Sequence, residues 1–316
     1  MKRKGPPQML NGILLVDKPR GMTSHDVVAA VRRMASMQEV GHTGTLDPDA
    51  SGMLILCLGR ATKFARFFEG LEKTYWSVMQ LGIRTDTQDA TGRVLSQCPV
   101  PALSRERLQE TLRQFTGSLQ QIPPMYSAVK YQGQRLYRLA RQSRIVPRAA
   151  RSIVIYQLDF VDARDVFVTF TTICSKGTYI RTLCEDIGLT LGCGACMVHL
   201  QRCQIGSFQL KSAYSLDALQ QSAVEGSFER TLIPLTEALD FLPILSLTSQ
   251  QYNELQIGQG RELPTVLRTI HGSLLRAPCY RLWAQPQGTF AIIHRRPSAP
   301  TGWKLHRLKE GEQCLC

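Results

Sequence analysis

Gly41-His42-Thr43-Gly44-Thr45-Leu46-Asp47-Pro48-Asp49-Ala50-Ser51-Gly52 sets one carboxylate in a run of small residues, five positions after an imidazole. Three glycines in twelve residues open backbone conformations that other residues avoid, and Pro48 fixes the chain just after Asp47 while biasing Asp47 away from helix. The stretch reads as an active-site loop and not as a core strand. Asp-Pro beside glycine is also ordinary turn chemistry. The loop is therefore a site only if the rest of the chain supplies the partners that a site needs.

The chain has 316 residues, 43% of them hydrophobic, enough for one large domain and a small one with real cores. Lysine and arginine number 38 against 25 acidic residues, a formal charge of +13. That balance points to a polyanionic partner, nucleic acid first. Apolar runs such as Met53 to Leu58 are too short to span a bilayer, so no membrane association is expected. Met1-Lys2-Arg3-Lys4 is followed only by the short apolar run Ile13 to Val16, so residues 1–9 read as a flexible basic tail and not a signal peptide. The ten cysteines are scattered through a chain with no export signal and read as reduced thiols in the cytoplasm. Cys193, Cys196, His199 and Cys203 have spacings that would suit zinc. Gly192 and Gly194 flank the first of them and Met197 to Leu200 opens an apolar element, so no metal is expected.

Charge is unevenly spread. From Thr111 to Leu158 there is no Asp or Glu, while Arg113, Lys130, Arg135, Arg138, Arg141, Arg144, Arg148 and Arg151 all fall inside. Such blocks track phosphates. Within it, Leu136, Leu139 and Ala140 share one face of a short helix over Gln134 to Gln142. Tyr126, Tyr131 and Tyr137 can contact bases or sugars, and Ile122-Pro123-Pro124 and Val146-Pro147 read as hinges. Strands are expected at Ile13 to Val16, Lys73 to Leu81, Ile153 to Phe160 and Val166 to Cys174. Ser24 and Ser104 can cap helices running through Val27, Val28, Val31 and Met34, and through Leu108, Leu112 and Phe115. A mixed α/β or α+β domain follows. From Leu242 the character changes to short strand candidates at Arg281 to Ala284 and Thr289 to His294, and the chain ends in a basic patch of Arg295, Arg296, Lys304, Arg307 and Lys309. This reads as a separate β-rich domain over 242–316.

Five blocks now carry a resemblance: Lys18-Pro19-Arg20-Gly21-Met22-Thr23-Ser24, the Gly41 to Gly52 loop, Lys73-Thr74-Tyr75, Gln121 to Lys130, and Ser175-Lys176-Gly177-Thr178-Tyr179-Ile180-Arg181. In this order they resemble the TruB family of transfer RNA pseudouridine synthases. The resemblance implies an α+β pseudouridine synthase fold over 10–241, a mixed and largely antiparallel sheet with flanking helices and a basic RNA-gripping thumb at 122–151. The β-rich region is similar to a PUA-type RNA-binding domain, with Gly258 and Gly260 near its start.

The implied reaction isomerises uridine 55 in the T loop of transfer RNAs. It breaks the bond from ribose C1′ to uracil N1 and remakes it to C5, with no net redox change and no water consumed, so no cofactor is expected. By resemblance Asp47 is the catalytic carboxylate and Arg181 its partner. Tyr179, two residues before Arg181, would share its strand face and take a polar role beside the carboxylate. Tyr75 is the stacking platform for the flipped base, His42 fills the gap the base leaves, Leu200 lines the pocket, and Lys18 and Lys130 contact RNA. Asp49 reads as exposed, and Asp86 and Asp89 as a supporting turn. A monomer with no obligate protein partner is expected. Two other readings compete: a non-catalytic transfer RNA binder or folding aid, and a guide-RNA-dependent enzyme of the dyskerin type, which typically lacks the thumb.

Overall fold

The computed structural model describes residues 10–257, 267, 277–285, 288–296 and 299–307. The tail at 1–9, Gly258, Gly260, Lys309 and the side chains of Arg295, Arg296 and Arg307 lie outside the described residues. The chain divides into two compact units, one formed mainly by Leu14–Thr231 and one by Asn11–Ile13 with Leu232–Cys316.

The first unit opens with β1 (Gly12–Lys18), α1 (Ser24–Met34), β2 (Val40–His42), β3 (Ser51–Leu58), α2 (Ala65–Glu69) and β4 (Lys73–Leu81). A small hairpin of β5 (Ile83–Thr85) and β6 (Val94–Gln97) leads to α3 (Arg105–Gln114) and β7 (Gly117–Gln121). The thumb follows, built from β8 (Lys130–Tyr131), β9 (Gln134–Arg135) and α4 (Leu136–Arg141). The long β10 (Arg151–Arg164) and β11 (Phe167–Cys174) precede α5 (Ile180–Thr190), β12 (Ala195–Ile205), β13 (Phe208–Gln209) and α6 (Leu216–Val224). One sheet runs in the order β1-β3-β12-β4-β11-β10-β7, with β2 on β3 and β13 on β12. The β12–β3 pairing is parallel, whereas β12–β4, β4–β11, β11–β10 and β10–β7 are antiparallel. This is the mixed, largely antiparallel sheet expected.

The alternation of buried and half-buried residues along β4 and β11 gives each strand one face toward the core. That face meets α3 and α5 through Leu108, Leu112, Ile180, Leu183 and Ile187, which pack with Met79, Val168 and Phe170. Ser104 caps α3 as expected, its hydroxyl accepting from the Arg107 amide at 3.2 Å. At α1 the cap is Thr23 and not Ser24: Thr23 and Asp26 form a reciprocal capping box, which leaves the buried Ser24 hydroxyl for another task.

The thumb lies between the end of β7 and the start of β10. It has its own small core of Leu136, Leu139 and Val146 with Met125, Val129 and Tyr131 against them. At its base the Arg148 guanidinium donates to the Pro123 carbonyl at 3.0 Å.

The second unit contains α7 (Leu235–Ala238), β14 (Ile244–Ser246), α8 (Ser249–Ile257), β15 (Cys279–Ala284), β16 (Gly288–Arg296) and β17 (Ala299–Arg307). Its four strands form a sheet in chain order over Leu245, Leu255, Leu282 and Ile293. Buried Arg281 donates to the carbonyls of Leu242 and Asp240, both at 3.0 Å, and pairs with the Asp240 carboxylate at 2.6 Å. Among the described residues no helix is long and apolar enough to cross a membrane.

Candidate active site

The loop between β2 and β3 is held from four directions. The Ser24 hydroxyl accepts from the Leu46 amide at 2.9 Å and donates to the Leu46 carbonyl at 3.2 Å. Lys18, fully buried, donates to the carbonyls of Pro19, Met22 and Pro48 at 2.9, 2.7 and 3.2 Å. The Gly21 amide also reaches the Pro48 carbonyl, at 2.9 Å. Arg202, on β12, donates from Nε to the Met53 carbonyl at 2.7 Å and from its amino group to the Gly44 carbonyl at 3.2 Å. Gly52 closes the loop at φ +102°, where any Cβ would overlap the Arg202 backbone, so no other residue fits.

Within this frame Asp47 meets Arg181. The guanidinium Nε lies 2.9 Å from Oδ2 and an amino group 3.3 Å from Oδ1, a two-point fork that fixes the plane of the carboxylate. The same guanidinium donates to the carbonyls of Thr87 and Tyr126 at 2.9 and 2.8 Å and stands 3.7 Å from the Asp89 carboxylate. One side chain, 6% exposed, thereby ties the Asp47 loop to the thumb base and to the turn carrying Asp86 and Asp89. That turn is braced in its own right: Gln88, at φ +64°, bonds to Glu185 and accepts from the Thr182 hydroxyl at 2.8 Å, both residues of α5. Asp49, in the same loop, is exposed.

Tyr179 and Arg181 do not share a strand face. Strand β11 ends at Cys174, Gly177 turns the chain at φ +83°, Tyr179 is the cap residue of α5, and Arg181 lies in its first turn. The helix takes over because Ile180, Leu183, Cys184 and Ile187 bury one face at helical spacing. Tyr179 is half-buried, with its backbone clamped by the buried Gln121, which donates to its carbonyl and accepts from its amide at 3.2 and 3.0 Å.

Tyr75 on β4 lies directly across from Arg202 on β12 and Thr172 on β11. Leu200, buried at 7% exposure, is two residues from Arg202 on that strand and so on its face. His42 ends β2 half-buried, its Nδ1 accepting from the Gly44 amide at 3.3 Å. Lys130 is exposed on the thumb hairpin. Lys18 is a correction: its three ammonium hydrogens each have a carbonyl to meet, so it holds the loop and does not reach out to RNA. The cysteine cluster also dissolves. His199 packs edge-on against Trp76 at 5.1 Å, and among the described residues no group of three or more His, Cys, Asp and Glu could hold a metal.

Burial pushes the Asp47 carboxyl above its ordinary 3.8, with the Arg181 charge as the largest opposing influence. Burial likewise lowers Lys18 to about 8 and pulls His42 down, so the imidazole favours its neutral form. If ionised Asp47 does the chemistry, acid removes activity by protonating it, and a raised pKa moves that loss to higher pH. The acidic limb of a single-turnover pH profile is therefore expected to follow one proton with a midpoint above 3.8. A midpoint below that value would show that another group limits the rate.

Ser24→Ala would leave the buried Leu46 amide without its acceptor, an expected loss of about 1–3 kcal/mol. Thermal melting and single-turnover rate should both fall, and an unchanged rate would mean that the other clamps suffice.

Residues 32–180 match the TruB family pseudouridylate synthase N-terminal domain, and residues 181–240 match the tRNA pseudouridylate synthase B C-terminal domain. The tRNA pseudouridine synthase B of Geobacillus thermodenitrificans (strain NG80-2) is 41% identical over 92% of this chain and 97% of its own. The chain belongs to the TruB family. The tRNA pseudouridine synthase B of Ralstonia pickettii (strain 12J) is 43% identical over 84% of each chain. Among solved structures, a chain of a Cbf5-Nop10-Gar1 complex superposes with a TM-score of 0.68 over 95% of this chain and 84% of its own. At 22% identity that likeness establishes the pseudouridine synthase fold alone. Arg202, Gln121 and Ser24 are the side chains of this TruB-family site whose tasks sequence reasoning missed.

Proposed function

We propose that this chain converts uridine 55 in the T loop of transfer RNAs to pseudouridine, acting as a monomer without an obligate protein partner. The observation that carries the reading is the forked ion pair of Asp47 and Arg181 in a chain whose relatives are named tRNA pseudouridine synthase B.

The target base is stacked in folded RNA and must be flipped out to be reached. Tyr75 stacks on the flipped uracil, Leu200 excludes water from one edge, and neutral His42 occupies the space the base vacates. Asp47 bonds transiently with the nucleotide or stabilises its charged intermediate, and Arg181 keeps it ionised and oriented. The bond from C1′ to N1 breaks, C5 bonds to C1′, the C5 proton leaves and N1 gains one. Tyr179 stands at the head of α5 for a polar role beside Asp47. The thumb, rich in exposed cations such as Lys130 and Arg144, grips the RNA backbone.

Tritium release from a transfer RNA transcript labelled at uridine C5, with the modified position mapped, tests the reading. Release mapped to the T loop is the expected result. Tight binding without release would favour a folding aid, and release only with added guide RNA would favour the dyskerin-type reading. Lys130→Ala and Arg144→Ala should each weaken binding and reduce the slope of log affinity against log salt by about 1. An unchanged slope would remove the thumb from the phosphate contacts.

A further inference from the structure

The second unit brings together two imidazoles that the proposed reaction does not use. Along β16 and β17 the strand alternation sends Ile293, Trp303 and Leu305 to the core of that unit, which leaves His294 and His306 on the opposite face of the sheet. His294 lies directly across from Lys304, and His306 from Ile292, so the two rings are diagonal neighbours. Both are half-buried. Their Nε2 atoms stand 3.1 Å apart, with the ring centroids 5.1 Å apart and the ring planes at 25°.

A straight hydrogen bond of this length from one Nε2 to the other would hold the centroids about 5.4 Å apart. The observed 5.1 Å is shorter, so the two ring axes meet at an angle. A zinc ion about 2.0–2.1 Å from each nitrogen, with an angle of about 100–110° at the metal, sets the nitrogens about 3.1–3.4 Å apart and the centroids about 4.9–5.2 Å apart. Both observed separations fall inside those windows. Chelation also needs a tautomer change: the imidazole that carries hydrogen on Nε2 takes it on Nδ1 instead, which turns both Nε2 lone pairs to the metal. A neutral pair gains and loses no proton in that change.

We propose that His294 and His306 form a two-histidine site for a borderline divalent metal, of which zinc is the probe, that clips β16 to β17. Imidazole nitrogens suit zinc, copper and nickel, and they offer nothing to magnesium or calcium, which take oxygen. Cys279 stands across from His294 on β15, yet among the described residues no group of three or more His, Cys, Asp and Glu could hold a metal. The protein therefore supplies two ligands and solvent completes the tetrahedron. Lys304 repels a cation here, an effect that solvent screens because the lysine is exposed. The site stands apart from the pseudouridine reading and does not depend on it.

Calorimetric titration of the full chain with Zn²⁺, beside His294→Gln and His306→Gln, tests the proposal. The native chain should bind one equivalent more tightly than either variant does, and thiols elsewhere, common to all three proteins, cancel from the comparison. Loss of an outer-shell partner alone costs a metal site about 10–100-fold in affinity, so loss of one of two ligands should weaken this one by about tenfold or more. Equal stoichiometry and affinity in all three proteins would overturn the proposal. Should a variant fail to fold, imidazole NMR of the native chain carries the test. Zinc is then expected to shift the two imidazoles that contact each other and, across the strands, Ile292 and Lys304. If those two resonances stay in place as zinc is added, the pair is a hydrogen bond between imidazoles and no metal site.

Discussion

Asp47→Asn is expected to abolish tritium release, with single turnover down by on the order of 10⁴-fold or more. The substitution preserves the shape of the side chain, and its amide oxygen can still accept from Arg181, so the loop should stay seated on its four clamps. What disappears is the anion. An amide can neither bond transiently with the nucleotide nor offset positive charge at C1′. Affinity for the RNA should hold or tighten slightly, because one negative charge leaves a surface that otherwise attracts phosphate. The effect on melting has two opposing parts: burial disfavours the ionised carboxyl, so neutralising it removes that cost, while Arg181 loses half of its principal ion pair. A shift of only a few degrees is expected. Retention of rate within tenfold would remove Asp47 from the chemistry and turn attention to Asp89, the other carboxylate near Arg181.

The parts of the site that were legible in the sequence are those fixed by local chemistry. The Asp47 loop announces itself through glycine and proline, the thumb through an acid-free basic block between two proline hinges, and β4 through β-branched and aromatic residues over the bounds observed. The parts that were not legible depend on long-range contacts. Ser24 reads as a helix cap, and it acts instead on Leu46, 22 positions away, because Thr23 and Asp26 already satisfy the helix start. Arg202 reads as one more basic residue, since its carbonyl partners lie 149 and 158 positions away. Lys18 carries the charge of an RNA contact, but its burial is a property of the folded loop. The placement of Tyr179 on a strand was avoidable: Ile180, Leu183, Cys184 and Ile187 repeat at helical spacing right after Gly177, a period that outweighs the β-branched residues before it. The second unit has short strands whose pairing is set by tertiary contacts, and the bonds of Arg281 to the Asp240 and Leu242 carbonyls span about 40 positions, which no local pattern points to.

Arg181→Lys is expected to lose about 10²–10³-fold in single turnover while RNA affinity stays within about threefold. The geometry explains both parts. Arg181 is 6% exposed and its donors are spoken for by Asp47, Thr87 and Tyr126, so nothing of it is left to grip a phosphate. A lysine ammonium can hold the carboxylate at one point, but it cannot also reach the thumb base and the Asp89 turn from one rigid plane. The carboxylate would then rotate, and the thumb base would lose its tie to the Asp47 loop. The protonation of Asp47 provides an independent check. Burial raises its pKa and Arg181 is the largest influence lowering it, so replacing Arg181 with Met should move the acidic limb of the pH profile upward from its position in the native protein. Arg181→Lys, which keeps a charge nearby, should move the limb less. If the limb stays in place in both variants, Arg181 orients Asp47 without tuning it; if affinity falls in step with rate, the arginine contacts RNA and the fork seen in the free protein opens when the substrate binds.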